Sequence, residues 1–315
     1  KQNWFENQKK EHTAVRQNIG IFDMSSFGKI RVDGEGALNF LQEICTAQIN
    51  IQIGRIVYTQ MLNEKGGIES DLTISRLGEK SFLLVVPCAT LQRDLSYLNR
   101  KNNSNEVMIT DVSSSEGVLS IMGPNSRKLL ECVSPNNFSN SAHPFGTWKN
   151  IEIGSGLARA HRVSYVGELG WEIYISSDQC AHVFEEIWKF QQEMKFNLCG
   201  IHALDSCRIE KAYRHFGHDI TDEDHIVDAG LSFTADLSKK NFEGKESILT
   251  KRKIGSSKKM LQFKLNDPSK MIYHNEPVLR DNKIVGYLTS GNFGHTLGGC
   301  ILSLIHISEP TRPGH

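Results

Sequence analysis

Residues 54–86 read GRIVYTQMLNEKGGIESDLTISRLGEKSFLLVV, and the fold follows from how this stretch is parsed. Three runs rich in β-branched and apolar residues, at 56–59, 71–74 and 82–86, are separated by the turn-rich Asn63-Glu64-Lys65-Gly66-Gly67 and by Gly78-Glu79. Short turns between such runs predict antiparallel pairing. Upstream, residues 29–32 alternate polar and apolar. Ala37, Leu38, Leu41, Ile44 and Cys45 then recur at helical spacing, so a strand is followed by an amphipathic helix. Downstream, a helix over about 89–99, strands near 107–109 and 117–122, and a helix over 125–132 continue the alternation. The pattern predicts an α+β fold of mixed and antiparallel sheets layered with helices.

Farther along, strands are expected at 157–164 and 171–175. A helix follows with Val183, Phe184, Ile187 and Trp188 on one face and Ser177 as its N-cap, then another helix over 202–214. After Lys259 the pattern changes to short strands with turns at Asp267-Pro268, Asn275-Glu276-Pro277 and Asp281-Asn282, which sets a boundary near Ser256-Ser257. The expected organisation is a main domain over 1–255, a small all-β domain over 256–301, and a tail over 302–315. The tail resembles a translated sequencing adapter, so it is set apart as non-native and the small domain is expected to be incomplete. The basic stretch 239–259 reads as a solvated helix and linker, with a docking surface for an anionic tail as the alternative.

Charges balance at 36 basic and 36 acidic, which removes the electrostatic footprint of a general nucleic-acid binder. No apolar run reaches the 18 or so residues of a membrane span, so neither nucleic acid nor membrane is an expected partner and the chain reads as soluble. Seven cysteines without a CxxC pair argue against a disulfide framework and a structural zinc site, and fit a reducing compartment. His215 and His218 lack a third defined ligand, so no metal is expected there.

Five blocks, in order, resemble the folate-dependent aminomethyltransferases of the glycine cleavage T-protein type, most closely the C-terminal half of dimethylglycine and sarcosine dehydrogenases and oxidases. They are Trp4-Phe5 with residues 11–27, residues 54–63, Gly66-Gly67-Ile68-Glu69-Ser70-Asp71-Leu72, residues 165–173, and residues 203–220. The resemblance implies a folate-binding aminomethyltransferase-like fold followed by a small β-barrel domain. It also implies tetrahydrofolate as cofactor, with an N-methylated glycine-derived iminium or formaldehyde as substrate. The relatives carry a flavin domain before this region, and no GxGxxG follows a strand near the start of this sequence, so FAD is expected only on a preceding N-terminal domain in cis. A bacterial cytoplasm or mitochondrial matrix is the implied location.

A reduced pterin donates hydrogen bonds along one edge, so its site needs a carboxylate in that plane and an aromatic or apolar wall. Glu172 and Tyr165 can supply these, and the resemblance puts Glu172 on the pterin edge. Methylene transfer needs a group that accepts a proton and stabilises positive charge. Asp71, after the Gly66-Gly67 turn, is the position that the family uses for catalysis, and Tyr58 matches a folate-contacting tyrosine of the oxidases. Free-standing T-proteins have a folate-binding arginine where this chain has Leu204, which favours the flavoenzyme branch. Two other readings stand beside it: a non-catalytic module similar to the pyruvate dehydrogenase phosphatase regulatory subunit, and a free-standing glycine cleavage aminomethyltransferase.

Overall fold

A computed structural model describes residues 2–305. Along β4 (Ile68–Gly78) burial alternates: Ile68, Ser70, Leu72 and Ile74 point one way, and Glu69, Asp71, Thr73 and Ser75 the other. β4 lies in a five-stranded sheet of order β3-β4-β5-β2-β6, with β2 at Gly28–Asp33, β3 at Ile56–Leu62, β5 at Ser81–Val86 and β6 at Met108–Asp111. Every pair in it is antiparallel. The face bearing Leu72 and Ile74 is covered by α2 (Ala37–Ile44) and α3 (Leu91–Lys101) through Phe40, Leu41, Ile44, Tyr97 and Leu98. Each buried Leu, Ile or Phe side chain here contributes roughly 1.5–3 kcal/mol by leaving water. That burial fixes the register, because a one-residue slip would carry Asp71 into the helix-covered core.

The second sheet has six strands in the order β11-β1-β7-β10-β9-β8. They are β1 (Gly20–Asp23), β7 (Glu116–Met122), β8 (Trp148–Ile153), β9 (Gly156–His161), β10 (Gly170–Ser176) and β11 (Asn197–Cys199). β1 and β11 pair in parallel, which makes the sheet mixed. Trp171, Ile173 and Ile175 of β10 pack with the Leu129 and Leu130 side chains of α4 (Ser126–Val133) and the Val183 and Ile187 side chains of α5 (Cys180–Trp188). The N-cap of α5 is Gln179 rather than the expected Ser177: residues 177–179 form a turn closed by Gln179 N–H donating to Ser176 O at 2.8 Å. The short α6 (Gln191–Met194) leads into β11.

The uncovered faces of the two sheets meet. Leu83 and Val85 of β5 pack on Val118 of β7 and Tyr174 of β10. A further buried cluster, with Phe216, Ile220, Ile226, Leu231 and Phe242, joins α8 (Lys245–Ile254) to Leu62 and Ile68 at the end of β3 and the start of β4. The Gly66-Gly67 turn lies close to the Asp222 carbonyl, 1.9 Å from where a Gly67 Cβ would sit, so no side chain fits there.

The C-terminal strands β12 (Leu261–Lys264), β13 (Pro277–Arg280), β14 (Lys283–Gly294) and β15 (Gly299–Ile305) form an antiparallel sheet of order β12-β15-β14-β13. It has two edges, and the described residues do not close it into a barrel. Residues 302–304, set apart in the sequence as part of a tail, pair with Phe263, Gln262 and Leu261, while residues 306–315 lie outside the described residues. This sheet is bound to α7 (Ile201–Glu210) and α1 (Phe5–Gln17) by a polar network. In it, Arg208 donates to Asp205, Asp219 and Ser290; Thr289 Oγ1 donates to Asp219 at 2.7 Å; and Asn292 Nδ2 donates to Asp205 at 2.6 Å.

Candidate functional site

Asp71 stands on the face of β4 turned away from the helix-covered core. Gln60 is its register partner on β3, and Tyr58, two residues earlier on β3, shares that face. Gln60 Nε2 donates to Asp71 Oδ1 at 2.7 Å, and the Tyr58 hydroxyl bonds the same carboxyl. Burial pushes the Asp71 carboxyl up to about 6, against the opposing pull of those two hydrogen bonds and of the Arg214 charge. Tyr58 is 37% exposed overall, yet its hydroxyl is desolvated, and burial together with the Asp71 charge holds it well above the usual phenol range.

Tyr165 reaches the group from the loop after β9. Its hydroxyl donates to the Arg214 carbonyl at 2.6 Å, its ring stacks on Tyr213 with centroids 6.1 Å apart, and it packs beside Phe22 and Leu204. Burial is the main cause of its raised pKa, and the charges of Asp71, Asp205 and Asp219 add to it. The Arg214 guanidinium is anchored by donation to the carbonyls of Ala229 (3.1 Å) and Ala212, and its charge acts on both Asp71 and Tyr58. Tyr58, Asp71 and Tyr165, more than 100 residues apart at the extremes, therefore form one electrostatic group with Gln60 and Arg214.

Glu172 does not touch that group. It lies on β10 between Ser120 of β7 and His161 of β9, on the face turned toward the first sheet. Its Oε2 accepts from Tyr174 at 2.9 Å, and Oε1 takes no hydrogen bond from the described residues. Burial to 9% exposure pushes the carboxyl up to about 7, with the Tyr174 bond opposing. Two paths connect Glu172 to Asp71. On one side His161 approaches Ser75 of β4, which shares a face with Asp71 four residues away, roughly 13 Å at strand spacing. On the other, Ser120 is paired to Phe22 of β1, whose cluster includes Tyr165. The two carboxylates thus belong to the facing sides of two sheets. Surface crevices of about 470, 550 and 690 Å³ lie elsewhere and are lined by none of the four residues.

Sequence reading did not identify Gln60, Arg214 or His161 as members of this site. Gln60 could have been found, since it shares the two-residue period of Tyr58 and needs only the hairpin register to reach Asp71. Arg214 sits inside a quoted block without any spacing that reveals a role. Among the described residues no three His, Cys, Asp or Glu side chains converge as metal ligands, and the His215 and His218 rings simply pack at 4.4 Å. No described helix is long and apolar enough to cross a membrane.

The chain belongs to the glycine cleavage T-protein family: the GCVT N-terminal domain matches residues 1–239, and the glycine cleavage T-protein C-terminal barrel domain matches residues 258–305. It is 39% identical to 4-methylaminobutanoate oxidase (formaldehyde-forming) of Paenarthrobacter nicotinovorans, over 95% of this chain and 36% of that protein. It is 34% identical to an aminomethyltransferase of Halothermothrix orenii, over 91% of this chain and 80% of the relative. The mitochondrial sarcosine dehydrogenase of Homo sapiens is 33% identical over 92% of this chain and 33% of its own length. The chain spans about a third of the oxidase and dehydrogenase relatives that it matches. Among solved structures, glycine cleavage system aminomethyltransferase T from Bartonella henselae superposes with a TM-score of 0.85 at 25% identity, over 95% of this chain and 81% of that one.

Proposed function

We propose that this chain is the tetrahydrofolate-dependent methylene-transfer part of an FAD-dependent dimethylglycine or sarcosine dehydrogenase-like enzyme, forming 5,10-methylenetetrahydrofolate. The observation that carries the reading is the pair of desolvated carboxylates on facing sheets, half-buried Asp71 and buried Glu172, raised to about 6 and about 7. Tetrahydrofolate, when bound, supplies the amine nitrogens that capture the one-carbon unit. Glu172, whose Oε1 takes no donor among the described residues, would accept hydrogen bonds from the pterin edge. Tyr58 and Tyr165 would wall the ring, and Asp71 would take the proton released as nitrogen bonds carbon, its charge stabilising the cationic carbon before that. The flavin would be held by a domain in cis, with 1–255 as the folate-binding part and the small β domain beginning at 256. We place the enzyme in a bacterial cytoplasm or mitochondrial matrix.

One observation favours a second reading. The aminomethyltransferase of Halothermothrix orenii is matched over 80% of its length, so a free-standing aminomethyltransferase is the alternative. Against it, Leu204 packs with Phe22 and Val166 in an apolar cluster, at the position where the free-standing branch has a folate-binding arginine. A non-catalytic module has no physical need for a desolvated Asp71 held by two donors. Calorimetric titration with tetrahydrofolate tests the reading. Saturable binding is expected, and Glu172→Ala is expected to lose about 2–4 kcal/mol of it. No binding to the unaltered chain would remove the proposal.

A further inference from the structure

We propose that Gln60 and Thr234 are positioning residues for Asp71, forming a hydrogen-bond relay whose direction reverses when Asp71 takes up a proton. The inference rests on the reading of Asp71 as the proton acceptor and adds how the protein accommodates that proton. Gln60 is fully buried, with one end of its amide 2.7 Å from Asp71 Oδ1 and the other end in a short contact with Thr234 Oγ1. Thr234, at the end of the 3-10 turn Ser232–Thr234, is 9% exposed, and its hydroxyl oxygen is also 2.8 Å from the Leu231 carbonyl.

Thr234 has one hydroxyl proton and two acceptors within reach, and a primary amide has an accepting end and a donating end. Two arrangements satisfy both the Asp71–Gln60 and the Gln60–Thr234 contacts with the same heavy-atom positions. With Asp71 ionised, Gln60 NH2 donates to the carboxylate and the Thr234 hydroxyl donates to Gln60 Oε1. With Asp71 protonated, its hydroxyl donates to Gln60 Oε1, the Gln60 NH2 donates to Thr234 Oγ1, and the Thr234 hydroxyl turns to the Leu231 carbonyl. That carbonyl is never orphaned, because it also accepts the Thr234 N–H at 3.0 Å. A buried base whose partner could only donate would lose a hydrogen bond on protonation. This one exchanges it by rotating an amide and a hydroxyl. The other groups acting on Asp71 are Tyr58 from β3, Arg214 from the 211–220 loop and Tyr165 from the loop after β9. Arg214 can only donate; the Tyr58 and Tyr165 hydroxyls can donate or accept, and that of Tyr165 already gives its proton to the Arg214 carbonyl at 2.6 Å.

Nuclear magnetic resonance of the chain tests the inference. The Asp71 carboxyl carbon reports its titration, and nuclear Overhauser contacts report which way the Gln60 amide protons face. The contacts are expected to run to the Asp71 β-protons at about pH 8 and to the Thr234 methyl at about pH 4.5, changing with the Asp71 midpoint. In Asp71→Leu the orientation is expected to be independent of pH. Thr234→Val is expected to move the Asp71 midpoint by at least about 0.5 pH unit, a threefold change in proton affinity, and Thr234→Ser to restore it. The same Gln60 contacts at both pH values, or an unmoved midpoint in Thr234→Val, would overturn the relay. A relay that reverses in a chain whose methylene transfer does not need Asp71 would instead remove the functional reading and leave the relay standing.

Discussion

Ser75 Oγ of β4 lies 3.4 Å from Nδ1 of His161 of β9, a polar contact between the two facing sheets. The His161 ring is buried to 2% exposure and lies against Tyr174 with centroids 4.2 Å apart, and its Nε2 has no hydrogen-bond partner among the described residues. Burial, with the Arg159 charge adding to it, holds the imidazole well below its usual 6.5, so it is neutral in the folded protein.

A histidine whose folded pKa is depressed favours the unfolded state as pH falls through 6.5, because the unfolded chain takes up a proton that the folded chain refuses. His161→Gln removes that loss. In urea unfolding, the wild type is expected to lose about 2 kcal/mol relative to the variant between about pH 7.5 and about pH 5. A gap that does not move with pH would mean that His161 is not neutral and desolvated.

Glu172 has the opposite sign. Its folded pKa of about 7 lies above the ordinary 4.5, so as pH rises through 4.5 the unfolded chain ionises first, and stability falls until about pH 7. Glu172→Gln abolishes this trend. Relative to wild type, the variant is expected to gain roughly 3 kcal/mol between about pH 4 and about pH 8 in the same unfolding measurement. A constant difference across that range would place the carboxylate in a solvated environment.

The ion pair of Arg208 with Asp219 ties α7 to the C-terminal sheet, with Ser290 and Thr289 of β14 completing it. Arg208 is 2% exposed. Asp219→Asn would leave its guanidinium short of a counter-charge in a buried site, a change expected to cost about 3–5 kcal/mol. Arg208→Met combined with Asp219→Asn is expected to cost less than the two single substitutions summed, since the pair is lost only once. Strict additivity in urea unfolding would show that the two side chains do not act on each other.

Much of this fold is legible in the sequence, and for identifiable reasons. The 54–86 hairpins announce themselves through turn residues and β-branched runs, and the one-sided apolar pattern of α5 through Val183 and Ile187. Three strands escaped, β1, β8 and β11. β1 is only four residues long, and β11 has three residues and pairs in parallel with it, a contact between positions about 177 apart that no local pattern encodes. Within the site, Asp71 and Glu172 were visible as chemistry and through family resemblance, whereas Gln60 and Thr234 meet only after the chain from residue 216 to 242 folds back onto β3. Their pairing belongs to tertiary structure. The same holds for His161, an ordinary strand residue until β4 is packed against it.

The account turns on Asp71 as the proton acceptor of methylene transfer, and the most direct measurement is single-turnover formation of 5,10-methylenetetrahydrofolate from formaldehyde by wild type and Asp71→Asn, corrected for the spontaneous reaction. Asparagine keeps the shape and a contact to Gln60, so folate affinity is expected to stay within about tenfold, or about 1.4 kcal/mol. The transfer rate is expected to fall by roughly 10²–10⁴-fold, the usual worth of a positioned acid–base group. Equal rates in the two proteins would contradict the account and move the preference to a folate-fold module without catalysis.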